Sequence, residues 1–139
     1  MSPDIEITSP ISLRLVISEI QEDRFPSFKT ELECLLQHPT GTFAYSASDI
    51  WFSNDAWDAF SAALSDVLQS CRAEAELCDL SEAFRLKVVA RPQEVPRVFL
   101  ECSEPDTGQG QGKLSLCCST DREALSALAA KVDSFPKWW

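Results

Sequence analysis

Between Phe84 and Trp139 the apolar residues change their period once, and that change fixes the order of the elements there. Phe84, Leu86 and Val88 alternate with Arg85 and Lys87, and Val98, Leu100 and Cys102 alternate with Phe99 and Glu101. Leu114, Leu116 and Cys118 form a third alternating set. A period of two puts one side of a strand against a core and the other toward water. Leu125, Leu128, Ala129, Val132 and Phe135 then recur at spacings of three and four, the stripe of a helix. Thr120 and Glu123 have capping-box spacing for its start, and Pro136 ends it. The order strand, strand, strand, helix follows.

A longer helix precedes it, expected from Asp55 to Arg72. Trp57, Phe60, Leu64, Val67, Leu68 and Cys71 make its apolar stripe, with Asp58, Ser65, Asp66 and Gln69 opposite. Ser53 or Asn54 is placed to cap it, and Asp55 favours the positive end of its dipole. Further back, Ile11, Leu13, Leu15 and Ile17 read as a half-buried strand. Leu32, Cys34 and Leu36, with Glu31 and Glu33 on the other side, read as a second strand over about 28–36. His38-Pro39-Thr40-Gly41 is a turn leading to a third strand over about 42–47. Residues 74–80 read as a short strand with Glu74, Glu76 and Cys78 on one face. The expected fold is a single α+β domain over 1–139: a mostly antiparallel sheet of about six strands, with both helices packed on one face.

A chain of 139 residues, 45% hydrophobic, can bury a core without metal or disulfide. Six cysteines therefore read as small apolar residues: Cys34, Cys102 and Cys118 fall on strand faces and Cys71 on a helix stripe. Cys117 and Cys118 point to opposite faces of one strand and cannot share an ion, so no metal site is expected. No cofactor is expected either. The glycine-rich stretch 105–112 lacks the P-loop lysine and the strand-to-helix setting, and reads as a hairpin loop. His38, the single histidine, precedes a proline in a turn and has no partner at a catalytic spacing. The carboxylates lie mostly on polar faces, and no catalytic residue is assigned: the chain is not expected to be an enzyme.

Charge says more about partners. The net charge is −10, and residues 1–60 carry ten acids against Arg14, Arg24 and Lys29. Such a surface repels nucleic acid and anionic membrane and attracts a basic protein. No stretch approaches the roughly 20 apolar residues of a membrane span. Met1 to Glu6 has no basic stretch followed by an apolar run, so a cytoplasmic location is expected. No base falls between Lys29 and Arg72, and in that interval Trp51, Phe52 and Trp57 stand among Asp49, Asp55 and Asp58. Trp57 is expected in the core. Asp49, Trp51, Asp55 and Asp58 are the candidate partner-binding residues, an aromatic anchor in an acidic surround. Trp138 and Trp139 are expected to pack onto the fold.

Three stretches together resemble the WapI-type immunity proteins, small bacterial partners of polymorphic contact-dependent toxins. They are 51–60 with Leu64 and Leu68, then 73–77 leading into 84–88, and 114–116 followed by 120–125 and Phe135-Pro136. The likeness spans about residues 28 to 136 and is one of element pattern. Arg122 stands where the family commonly has glutamine. The resemblance implies a stoichiometric inhibitor that binds and blocks a cognate toxin; a monomer is expected because the sequence carries no strong self-association motif. The other expectation is a non-catalytic adaptor or chaperone-like binding module of another bacterial system.

Overall fold

The computed structural model describes residues 4–7, 11–70, 73–104, 108–135 and 139. Its elements in chain order are β1 (Asp4–Ile7), β2 (Ser12–Gln21), β3 (Ser27–His38), β4 (Gly41–Ser53), α1 (Asn54–Ser70), β5 (Ala73–Cys78), β6 (Phe84–Ala90), β7 (Arg97–Glu104), β8 (Gly112–Ser119) and α2 (Arg122–Asp133). The α+β class stands. The single sheet of about six strands does not: the strands form two four-stranded antiparallel sheets, β1-β2-β3-β4 and β5-β6-β7-β8. The reason is α1. It takes the chain out of the first sheet and packs along β5, so the later strands form a sheet of their own. α1 packs against β5 and touches β4 and β6, whereas α2 packs against α1 and β1.

Strand faces follow the alternation. Leu13, Leu15 and Ile17 of β2 are buried, as are Phe28, Thr30, Leu32 and Cys34 of β3. β4 runs further than expected, because Ile50-Trp51-Phe52 pairs with β3 as a strand rather than as an approach to the helix. It does so through a bulge: Thr30 faces Ile50 and Leu32 faces Ala47, so Ser48 and Asp49 oppose Glu31 alone. The extra residue restores the parity that buries both Ile50 and Phe52. β1 was not anticipated. It is four residues long and joins the sheet through Ile5, paired with Leu15 and buried.

The two sheets share one core. Phe28 sits at its centre, with ring centroids of Phe52, Trp57, Phe135 and Trp139 at 5.9, 5.7, 5.7 and 5.8 Å. Phe52 meets Phe84 edge-on at 5.7 Å, which joins the first sheet to the second. The favourable geometry of such pairs adds to their burial. Trp57 is buried as expected, and so are Phe60, Leu64 and Val67 along α1. Trp139 is partly exposed but stacks on Phe28, so it does pack; Trp138 and Cys71 lie outside the described residues.

α2 starts differently from the capping-box expectation. Asp121 is the N-cap, its Oδ1 accepting from the Ala124 N–H at 2.7 Å. Thr120 lies one position outside the helix: its N–H bonds the Pro96 carbonyl at 2.9 Å, and its hydroxyl caps nothing among the described residues. At α1 the Ser53 hydroxyl is the cap, accepting from the Ala56 N–H at 3.0 Å.

Candidate functional site

The β4 bulge and the start of α1 carry the four residues singled out from the sequence. The structure draws Asp49 and Trp51 together: the Trp51 Nε1–H donates to Asp49 Oδ1 at 3.2 Å. Trp51 is half-buried on the outer side of the first sheet. Asp55 is exposed in the first turn of α1, and Asp58 lies one turn further on. Asp58 has a task within the fold, because its Oδ2 accepts from the Trp139 Nε1–H at 2.9 Å.

Sequence distance hid one neighbour. Lys29 is the cross-strand partner of Trp51, and its Nζ lies 5.9 Å from the centre of the indole ring. The same ammonium pairs with Glu19 at 3.1 Å. The aromatic anchor is thus not surrounded by acids alone: Glu19, Lys29, Trp51 and Asp49 form a row of alternating charge across β2, β3 and β4. Lys29 and Trp51 are 22 positions apart, and only the β3–β4 register brings them together.

Asp49 also lines a cleft of about 640 Å³ where β4 meets the β5–β6 turn and the end of β7. Among the described residues, four carboxylates line it, Asp49, Asp79, Glu82 and Glu104, and no base does. Three of these come from the second sheet. Sequence reading passed over them because each looks like an ordinary turn or polar-face acid. Asp79 is buried, and both its oxygens are engaged by backbone: Oδ1 accepts from Phe84 N–H at 2.8 Å and Oδ2 from Ser81 N–H at 3.3 Å. This holds the β5–β6 turn, in which Glu82 adopts a left-handed φ of 58°. Glu104 accepts the Tyr45 hydroxyl from across the sheets. Burial of Tyr45, then the bond and charge of Glu104, push that phenol well above its ordinary range, so it stays protonated.

Chemically, this arrangement concentrates negative potential in a concavity and offers no matched nucleophile and base. His38 is exposed in the β3–β4 turn beside Thr40, its Nδ1 2.9 Å from the Thr40 hydroxyl. Cys34 and Cys102 meet across the two sheets inside the core. The hydrogen bond to Cys34 and burial raise Cys102 far above a normal thiol, and the same bond lowers Cys34. Both are buried, which fits packing rather than reactivity. Cys117 is exposed and Cys118 is turned inward, on opposite faces of β8. Among the described residues no group of three or more histidines, cysteines or acids is placed to hold a metal ion. Among them, too, no helix is long and apolar enough to cross a membrane.

No protein-family model, curated protein or solved structure matches this chain.

Proposed function

We propose that the chain is a non-catalytic inhibitor of the immunity type, a cytoplasmic monomer that neutralises a cognate bacterial toxin domain by binding it one to one. The observation that carries this reading is the cleft holding four carboxylates and no base, with Asp49 shared between it and the half-buried Trp51. A concave acidic site beside an aromatic surface suits the lysines and arginines of a basic protein. The resemblance of residues 28–136 to WapI-type immunity proteins names the kind of partner. Asp49, Trp51, Asp55 and Asp58 are the proposed contact residues.

Co-expression with the product of the adjacent gene tests it, with growth and pull-down read together. Rescue of growth plus a complex is the expected result. Asp49→Lys and Asp55→Lys should each weaken that complex at least about tenfold, the 1.4 kcal/mol scale of a lost charge contact. Glu123→Lys, exposed in the first turn of α2 and away from these residues, should leave it unchanged. Absence of both toxicity and complex defeats the immunity reading.

The second reading, a binding adaptor or chaperone-like module, is favoured by one observation. The outer side of the second sheet has the opposite charge bias from the rest of the molecule, which gives the chain two dissimilar faces.

A further inference from the structure

The register of the second sheet sorts its outward residues into rows. Glu74, Val89, Arg97 and Ser119 form one row, and Glu76, Lys87, Phe99 and Cys117 the next. Arg85, Glu101 and Ser115 lie in the third, with Lys113 diagonal to Glu101. With Arg91 and Glu94 in the loop that follows β6, this face gathers five of the twelve basic residues of the chain against Glu74, Glu76, Glu94 and Glu101. A chain of net charge −10 therefore carries a face of about +1.

The internal pairing leaves that excess in one place. Arg85 pairs with Glu76 at 3.1 Å, and Lys113 with Glu101 at 2.8 Å. Lys113 holds the Glu101 carboxyl below its ordinary range, so that pair is charged at neutral pH. Lys87 and Arg91 share the single carboxylate of Glu74, both at 3.4 Å. Arg97 has no ion-pair partner among the described residues. Lys87, Arg91 and Arg97 line a groove of about 670 Å³ with Val89, Val95 and Phe99.

A second, mostly apolar groove of about 430 Å³ adjoins it. The two share Arg91, Glu94 and Val95, and Val67, Leu68, Pro96 and Leu125 line its far side. The loop between β6 and β7 is the ridge between them, and Val95 on it is 62% exposed.

We infer that this paired groove is a docking site for an acidic, apolar polypeptide segment of a partner protein, with a carboxylate set on Arg97 and Lys87 and a neighbouring large apolar side chain seated past Val95. Charge complementarity selects the acidic segment, because the local excess is positive and one guanidinium is uncompensated. The apolar lining selects a polypeptide over a polyphosphate, which would gain nothing from Val89, Val95 and Phe99 and would meet the −10 field of the whole chain. A carboxylate on Arg97 gains a bidentate partner that none of the described residues supplies. This site shares no residue with the acidic cleft and is independent of what the cleft binds.

Selection of a random twelve-residue phage-displayed peptide library on the immobilised protein tests the inference. The expected result is enrichment of peptides with an acid beside Leu, Ile or Phe. A fluorescent copy of the selected peptide should lose at least tenfold in affinity to Arg97→Glu and to Lys87→Glu, while Asp49→Lys leaves it unchanged. Both substituted groove residues are solvent-facing, and circular dichroism of each variant checks that it folds. Selection of basic peptides, equal binding to the Arg97→Glu protein, or no enrichment would overturn the inference. So would Arg97-dependent binding of a fluorescent single-stranded oligonucleotide, or sedimentation showing Arg97-dependent self-association in place of peptide binding.

Discussion

Two polar atoms in the first turn of α1 are buried without a hydrogen-bond partner among the described residues: Asn54 Oδ1 and Trp57 Nε1. Trp57 therefore holds its place by ring packing, with Phe28 at 5.7 Å and Phe135 at 4.6 Å. Replacing the indole by a phenyl ring removes the unpaired donor along with some volume, and these effects oppose one another. Trp57→Phe should therefore cost no more than about 1.5 kcal/mol in urea unfolding. Phe28→Ala removes the ring on which four others converge and should cost about 3–5 kcal/mol. Equal losses from the two changes would show that Phe28 is not the centre of the core.

At the scale of the element, α2 separates two residues that look alike in sequence. Asp121 caps the helix, whereas the Thr120 hydroxyl is buried without a partner. Asp121→Ala should destabilise by about 1 kcal/mol. Thr120→Val keeps the shape and removes an unsatisfied oxygen, so it should be neutral or stabilising. The reverse order in thermal unfolding would restore the capping-box assignment. This pair marks where sequence reading stops. The alternation of Phe84, Leu86 and Val88, or of Leu32 and Cys34, reports burial directly, and the structure buries each of these side chains. The stripe of α1 reports its buried face equally well. A cap depends on which side-chain oxygen reaches a free N–H of the first turn, here that of Asp121 and not of Thr120, and spacing carries no record of that. The bulge at Ser48-Asp49 is hidden for the same reason: it is defined by what stands opposite.

At the scale of the whole molecule, the division into two sheets was not legible, because alternation shows that a strand exists and not which strand lies beside it. Half of the candidate site was hidden likewise. Asp49 and Trp51 are close in sequence and were found together, whereas Lys29, Asp79, Glu82 and Glu104 reach them only through tertiary contacts. The sheets are nevertheless held as one body: Phe52 packs on Phe84, Tyr45 donates to Glu104, and the Leu80 N–H bonds to the Trp51 carbonyl at 2.8 Å. Urea unfolding followed by tryptophan fluorescence and by far-ultraviolet circular dichroism should give coincident transitions. Separate midpoints would mean that the sheets melt independently.

Within each sheet every strand pairs only with its neighbours in the chain. On the ribosome, β1 to β4 are therefore complete as a sheet before any strand of the second exists, and synthesis proceeds at only about 5–20 residues per second. Until the second half follows, Phe28, Leu32 and Phe52 lack part of the cover they have in the finished fold, so aggregation during synthesis is a hazard of the first half in particular.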